Sequence, residues 1–121
     1  MRDVRTKAEV EIFLNRFFPK MDIWGIFFLN RDKNQNALTA LGIVPEARER
    51  YIRELTADDY VETIASAMAF GDMWVFGRDI NSREVYIKIS IGNPDDRTIC
   101  ISFHEAENHI RYVYKRMEDE Q

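Results

Sequence analysis

Four side chains that can move protons or hold an anion lie close together in the last third of the chain. Tyr86, Lys88, Ser102 and His104 all fall in the segment REVYIKISIGNPDDRTICISFHEA. Imidazole and phenol groups transfer protons, and a lysine can stabilise charge that develops on a phosphoryl group. These residue types can cleave RNA without a metal ion, with the ribose 2′-hydroxyl as nucleophile. Alternatively, Tyr86 and Lys88 are ordinary solvent-facing strand residues and His104 is a hydrogen-bonded strand end.

The segment that carries these residues has the pattern of two strands. Apolar residues alternate with more polar ones over Val85–Ile91 and again over Thr98–His104, which indicates two strands with one apolar face each. Gly92–Asp96 between them is rich in turn residues, so the sequence predicts an antiparallel hairpin. Residues paired across an antiparallel hairpin share a face of the sheet. Two registers keep the isoleucines of both strands on the same face, namely those in which the residue numbers of each pair sum to 188 or to 190. A one-residue slip is disfavoured because it would turn one isoleucine row onto the polar face.

Composition limits the class of protein. The chain has 121 residues, of which 45% are hydrophobic, so we expect one domain over residues 1–121 with a sizeable core. It has no apolar run as long as a membrane span. Its first residues lack the apolar stretch of a secretory signal, so we expect no such signal here. The single cysteine, Cys100, excludes an intramolecular disulfide and favours a reducing cytoplasm, and we expect it to be a half-buried strand residue.

The charge balance bears on the kind of partner. The formal net charge is -4 and the pI is about 5.2, which argues against a non-specific nucleic-acid binder, because such binding depends on phosphate neutralisation. Arginine and lysine residues nevertheless gather around Arg31 and in the C-terminal quarter, so a local basic groove remains open.

The first half of the chain is predicted to be mainly helical. Apolar residues at helical spacing predict a first helix over Thr6–Phe18, ended by Pro19. Asp22–Leu29 is apolar and β-branched, which predicts a buried strand. Ala37–Leu41 is consistent with a short helix ended by glycine, and Pro45 suits the first turn of a helix that continues to about Leu55.

A polar segment, Asn30–Asn36, interrupts these elements directly after the predicted strand. Its simplest interpretation is a solvated loop. The functional interpretation is that Arg31 and Lys33 contact an anion such as phosphate from a loop that leaves a rigid strand.

The second half is predicted to be a three-stranded meander that ends in the hairpin. Thr56–Asp59 resembles a capping box, which suggests a helical segment over Ala57–Met68, and Ile110–Tyr114 fits either a strand or a short helix. We therefore expect a single α+β domain in which N-terminal helices pack on a mainly antiparallel β-sheet. The remaining predicted elements are a turn over Ala69–Asp72, a strand over Met73–Phe76 and a loop over Gly77–Ser82.

Three stretches together resemble a known family. They are DIWGI followed by NRDKN near the first strand, MWVFG, and EVYIKI followed by CISFHEA in the hairpin. In combination they resemble the motility quorum-sensing regulator (MqsR) toxins of bacterial type II toxin–antitoxin systems. The resemblance covers about residues 8 to 115. It implies a RelE-like α/β fold, mRNA cleavage and a cognate antitoxin protein that binds and neutralises the toxin.

The resemblance carries over to individual residues with clear departures. The family's strand tyrosine falls on Tyr86, which implies a catalytic role there. A family lysine falls on His104, which can still transfer protons or bind phosphate. A further family lysine falls near Glu62, which reverses the charge, and a family glutamine falls on Val75, which cannot replace it. The fold-level match is therefore better than the active-site match.

These observations predict a metal-independent mRNA endoribonuclease that needs no cofactor. His104 and Tyr86 are the predicted proton-transfer groups, and the predicted phosphate contacts are Lys88, Arg31, Lys33 and Ser102. The alternative is a non-enzymatic protein-binding module, in which the polar sheet face and the Arg31/Lys33 segment dock a protein. The distinguishing feature is the surface: a basic concave patch favours RNA, whereas a flat apolar patch favours a protein partner.

Overall fold

The computed structural model describes residues 3–29, 32–66 and 71–115. In these residues, helices of the N-terminal half pack on a five-stranded sheet with the order β1-β5-β4-β3-β2. β1 pairs in parallel with β5, and the other neighbours pair antiparallel. The predicted α+β class with a mainly antiparallel sheet is therefore confirmed. The elements are α1 (Lys7–Trp24), β1 (Ile26–Phe28), α2 (Asp32–Leu41), α3 (Ala47–Arg53), a 3-10 turn (Ala57–Asp59), β2 (Tyr60–Ile64), β3 (Met73–Ile80), β4 (Arg83–Ser90) and β5 (Thr98–Glu105).

Helix α1 is longer than predicted. Thr6 and Glu9 form a capping box at its start. Their side chains accept hydrogen bonds from backbone N–H groups that have no partner within the helix. The prediction that Pro19 ends the helix is wrong, because α1 continues through Pro19 to Trp24. A proline removes one helical hydrogen bond, but the buried stripe continues on both sides of it and packs on the sheet. The buried α1 residues are Val10, Phe13, Leu14, Phe17 and Met21.

The extension of α1 shortens the strand that follows. Gly25 ends the helix with φ +87° and donates its N–H to the carbonyl of Met21. β1 then covers only Ile26–Phe28, so the predicted buried strand over Asp22–Leu29 is wrong in its first half. Ile23, in the last turn of α1, is 74% exposed.

The predicted loop over Asn30–Asn36 is also wrong where the structure describes it. Residues from Asp32 onward form α2, which ends at Leu41 and is followed by Gly42 with positive φ, as predicted for its end. Asn30 and Arg31 lie outside the described residues. The side chain of Asn34 explains the helix position, because it is buried against the sheet and donates to the backbone carbonyl of Ile101.

The region after α2 contains less helix than predicted. α3 covers Ala47–Arg53, within the predicted Pro45–Leu55. The Thr56–Asp59 capping box is present, but it caps only a 3-10 turn. The chain then enters β2, so the predicted helix is wrong for Tyr60–Ile64. The end of that predicted helix and the start of the predicted turn fall on residues 67–70, which lie outside the described part of the chain. Four of the five β2 residues are aromatic or β-branched, which favours a strand once β3 is available as a partner.

The C-terminal half is the predicted meander, with longer strands. β3 continues to Ile80, so the loop predicted over Gly77–Ser82 is wrong for its first four residues. Asn81 and Ser82 alone make the turn, both with positive φ, which is the geometry of a tight two-residue hairpin. After β5, Ile110–Tyr114 forms neither the strand nor the helix considered from the sequence.

The register of the hairpin follows one of the two predicted possibilities as far as Lys88 and then shifts by one residue at a bulge. Tyr86 pairs with His104 and Lys88 with Ser102, sums of 190, but Ile89 pairs with Cys100. The extra residue in β5 turns Cys100 onto the apolar face, where it joins the main core and is only 1% exposed. The expectation of a half-buried Cys100 is therefore wrong, because a bulge lets the chain change faces without unpairing the rest of the strand.

The two faces of the sheet have different environments. One face packs against α1 and forms the main core. On the other face Val61 and Val75 form a smaller cluster with Ile110, which belongs to the segment after β5. This second face carries the four polar residues that the sequence singled out.

Candidate functional site

Tyr86 and His104 form the centre of the candidate site. They are cross-strand partners on β4 and β5, and their rings stack with centroids 5.3 Å apart at an angle of 15°. Directly paired residues of an antiparallel ladder have adjacent side chains, so the strand register itself holds these two rings together. His104 is 8% exposed, which leaves only a limited part of its ring at the surface.

Lys88 and Ser102 are the next pair on the same face. The ammonium nitrogen of Lys88 lies 5.9 Å from the centroid of the Tyr86 ring. Ser102 is almost completely buried, so it forms part of the floor rather than an exposed contact. The structure thus brings together Tyr86, Lys88, Ser102 and His104, as the hairpin pattern predicted.

These four residues line one open hollow of about 440 Å³. Its far wall is the segment that follows β5, including Ala106, Asn108 and Ile110. The carboxylate of Glu84 fixes this segment, since its Oε1 accepts hydrogen bonds from the Ile110 N–H at 3.2 Å and from His109 Nδ1 at 3.1 Å. We call this cavity the sheet-face hollow.

Gly77 allows this wall to approach the sheet. A Cβ atom at this position would lie 2.6 Å from Cδ1 of Ile110 and 2.9 Å from the hydroxyl of Tyr112. Such distances are shorter than van der Waals contact, so only glycine fits beneath the segment. The Tyr112 hydroxyl is buried without a hydrogen-bond partner among the described residues, and burial raises the pKa of this phenol far above its usual range.

The hydrogen bond of His104 defines its tautomer. Nδ1 lies 3.0 Å from the backbone carbonyl oxygen of Glu105. A carbonyl oxygen can only accept, so Nδ1 carries a hydrogen. In the neutral ring, Nε2 is then the basic nitrogen and the one that can take a proton.

The charge around the hollow is mixed rather than uniformly basic. Lys88 and Arg111 supply positive charge, whereas Glu62 and Glu107 supply carboxylates. Sequence reasoning considered Glu62 only as a departure from a family pattern, on a predicted helix, and Arg111 only as one of the basic residues of the C-terminal quarter. It missed Glu107. The strand-forming residues of β2 were the available signal for Glu62, whereas the wall segment has no regular pattern that would have identified its residues.

The other predicted phosphate contacts, Arg31 and the side chain of Lys33, lie outside the described residues. Cys100 faces the core on the opposite side of the sheet, where burial raises the pKa of its thiol to about 12. Among the described residues, no group of three or more histidine, cysteine, aspartate and glutamate side chains is arranged to hold a metal ion.

The comparisons leave the family assignment as a prediction. No family model, curated protein or solved structure matches this chain. Within the part of the chain that the structure describes, no helix is both long and apolar enough to cross a lipid bilayer. Any functional assignment therefore depends on the chemistry of the sheet-face hollow and on the motifs described above.

Proposed function

We propose that this protein is a metal-independent endoribonuclease that cleaves mRNA at the sheet-face hollow. The observation that carries the proposal is the stacked Tyr86–His104 pair beside Lys88 in one open cavity. With the motif resemblance, this chemistry suits the toxin of a bacterial type II toxin–antitoxin system, whose partner is a neutralising antitoxin protein.

The proposed reaction is a transfer of the phosphoryl group within the RNA. The 2′-oxygen attacks phosphorus and loses its proton to the neutral imidazole of His104. The bond from phosphorus to the 5′-oxygen breaks, and the Tyr86 hydroxyl gives a proton to that leaving oxygen. The products are a 2′,3′-cyclic phosphate and a 5′-hydroxyl, and the proton held by His104 returns to the Tyr86 oxygen through solvent.

Lys88 has a separate role in this scheme. Its ammonium group lies within reach of the Tyr86 ring, so a phosphate that contacts the Tyr86 hydroxyl also falls near this cation. A preorganised cation stabilises the charge that builds up on the non-bridging oxygens during the reaction. Ser102 lies beside Lys88 in the floor of the hollow, because the two residues are paired across the strands.

The direct test is incubation of the purified protein with a long mRNA in the presence of EDTA, with the ends of the products mapped. We expect cleavage that leaves cyclic-phosphate ends, and loss of cleavage in His104→Ala. Because His104 is largely buried and stacked, circular dichroism and a thermal melt must show that the variant is folded. Intact RNA with the folded wild-type protein, also in the presence of ribosomes, would contradict the proposal.

A non-enzymatic protein-binding module is the second candidate. Three large apolar side chains, Ile23, Trp24 and Phe27, are exposed at the end of α1 and on β1. Exposed apolar groups of this kind are common where proteins associate. This candidate becomes the leading one if the folded protein leaves RNA intact in both assays.

A further inference from the structure

The two edges of the sheet differ in how they are covered. At the β2 edge, the N–H of Thr63 donates to the carbonyl of Asp3 at 2.8 Å, and the N–H of Val113 donates to the carbonyl of Tyr60 at 3.3 Å. At the other edge, β5 is the only described element with which β1 has extensive contact. A sheet edge whose backbone groups are unpaired is a template for another strand. The β1 edge is therefore the one at which a further strand can add.

The backbone groups at the β1 edge come from Ile26 and Phe28. The carbonyl of Gly25 accepts a hydrogen bond from β5, and the N–H of Leu29 donates one to β5, both at 3.0 Å. Alternate residues of a paired strand direct their N–H and C=O groups to opposite sides, so the odd-numbered residues bond to β5. Ile26 and Phe28 therefore direct two N–H and two C=O groups away from the sheet.

The exposed side chains around this edge are apolar rather than charged. Phe27 is 38% exposed, and Ile23 and Trp24 in the last turn of α1 are 74% and 46% exposed. Sheet edges are normally protected by charged side chains, bulges or a covering element. The nearby carboxylate of Asp22 is neutralised by an ion pair with Arg53, so it does not repel a strand that approaches the edge.

We propose that a second copy of this chain adds to the β1 edge, so that two β1 strands pair antiparallel about a two-fold axis at Phe27. Ile26 of each copy then exchanges two backbone hydrogen bonds with Phe28 of the other copy. A two-fold interface requires a patch that complements itself. A strand with one exposed apolar residue between two residues that direct their backbone groups outward meets this requirement.

The side chains at the axis also fit this arrangement. Each Phe27 lies directly opposite its own copy, and aromatic side chains in such pairs stabilise a sheet. The guanidinium of Arg97 lies over the Phe27 ring of its own chain, with its central carbon 4.6 Å from the ring centroid. It then covers the aromatic pair from the side of the solvent, a contact that the attraction between a cation and an aromatic face favours.

The pairing places both hollows on one surface. Phe27 pairs with Ile99, and Ile99 with Ser90, which is on the same face of β4 as Lys88. Because the two-fold axis runs perpendicular to the sheet, the copies form one sheet of ten strands, five from each, with both hollows on the same side. From strand spacing and rise, the two His104 residues are then about 30 to 35 Å apart. The inference itself does not rest on the proposed ribonuclease activity.

Analytical ultracentrifugation of the full chain over a wide range of concentration tests the association. We expect the apparent mass to rise with concentration from the 14.4 kDa of one chain toward twice that value. Phe27→Asp places two carboxylates opposite each other at the axis, and directly paired like charges disfavour pairing, so this variant should stay at the mass of one chain. Ile12→Asp is the matched control, because Ile12 is 59% exposed in the first half of α1, and it should associate as wild type does.

Disulfide cross-linking tests the register and also detects a weak association. Residues in a non-hydrogen-bonded antiparallel pair have Cα atoms about 4.5 Å apart, a distance that a disulfide spans. Phe27→Cys, oxidised by copper phenanthroline in air, should therefore form a covalent dimer, whereas Ile12→Cys should not. The native Cys100 does not interfere, because it is buried in the folded protein.

Circular dichroism and a thermal melt show whether each variant is folded, and the two cysteine variants decide the outcome if Phe27→Asp is not. Selective cross-linking through Phe27→Cys supports the two-fold interface at β1. Equal cross-linking of both cysteine variants, or association that a folded Phe27→Asp retains, overturns it. A wild type that stays at the mass of one chain and a Phe27→Cys that gives no cross-link overturn it as well, whether or not the protein cleaves RNA.

Discussion

The rings of Tyr86 and His104 stack across neighbouring strands with their centroids 5.3 Å apart. The pair is fixed by backbone register, since the two residues are direct partners in the β4–β5 ladder. The Nδ1–H of His104 is fixed in turn by the carbonyl of Glu105. Stacking and tautomer are therefore set before any substrate binds, which is the preorganisation that acid–base catalysis requires.

Tyr86→Phe tests the proton-donor role without disturbing the stack. Phenylalanine keeps the ring beside His104 and removes only the hydroxyl, so the folded structure should be retained. If the hydroxyl protonates the leaving oxygen, the cleavage rate should fall by about 10²- to 10⁴-fold. Single-turnover cleavage of a defined RNA gives this rate, and Tyr51→Phe, on α3 away from the hollow, is the control for the loss of a tyrosine hydroxyl. An unchanged rate in Tyr86→Phe would remove this residue from the mechanism.

Lys88→Gln tests the phosphate contact. The substitution keeps most of the side-chain length but removes the positive charge, so both RNA affinity and cleavage rate should fall. Lys88→Arg should retain part of each, because the guanidinium also binds phosphate oxygens. Filter binding at several salt concentrations gives a further readout, since a lost phosphate contact makes binding less sensitive to salt. Equal salt dependence in wild type and Lys88→Gln would argue against a contact between Lys88 and phosphate.

The location of these residues could be predicted because it depends on a local pattern. The alternation of Val85, Ile87 and Ile89 defines which face of β4 is buried, and a short turn brings β5 beside it. Parity then places Tyr86 and Lys88 on the opposite face without knowledge of the rest of the fold. This argument requires only neighbouring residues.

Features that depend on distant contacts could not be predicted in this way. The bulge that buries Cys100 is stabilised by Asn34, whose side chain bonds to Ile101 and Phe103 from another element. The sequence of β5 alone contains no sign of it. The Thr56–Asp59 capping box is a local signal that predicts a helix at Glu62, whereas the pairing with β3 that makes β2 a strand is a long-range interaction.

Asn34 should be important for stability. Its side chain accepts the N–H of Phe103 at 3.1 Å and donates to the carbonyls of Ile101 and Leu29. Asn34→Ala leaves buried backbone groups without partners, which should cost about 2 to 4 kcal/mol of unfolding free energy. Asn34→Asp can still accept from Phe103 but cannot donate to the two carbonyls, so it should also be destabilising. Urea denaturation measures both losses, and a change below 0.5 kcal/mol, about the effect of an ordinary surface substitution, would contradict this role.

Gly77→Ala should displace the wall of the sheet-face hollow. The added methyl group would meet Ile110 and Tyr112, so we expect a loss of about 1 to 3 kcal/mol in unfolding free energy together with weaker RNA cleavage. Gly42→Ala is the control. Its added methyl group meets no atom within 4 Å, but the backbone at this position has φ +69°, which strains alanine. This variant should therefore be less stable than wild type but should cleave RNA normally at temperatures where it is folded. Full cleavage activity in both variants would show that the position of this wall is not needed.

Cys100 gives a prediction about alkaline pH. Burial raises the pKa of its thiol from 9.0 to about 12 in the folded protein. At a pH between these two pKa values, the thiol has lost its proton in the unfolded chain but keeps it in the native state. Ionisation therefore lowers the free energy of the unfolded state, and the stability of the fold falls as pH rises from 9 to 12. Cys100→Ala should show a smaller decline in urea midpoint over this range than wild type.

The native thiol should also resist alkylation at pH 8 and react once urea unfolds the chain. Rapid alkylation of the folded protein would contradict the buried position, because a thiol in the core on the helix side of the sheet is both inaccessible and protonated.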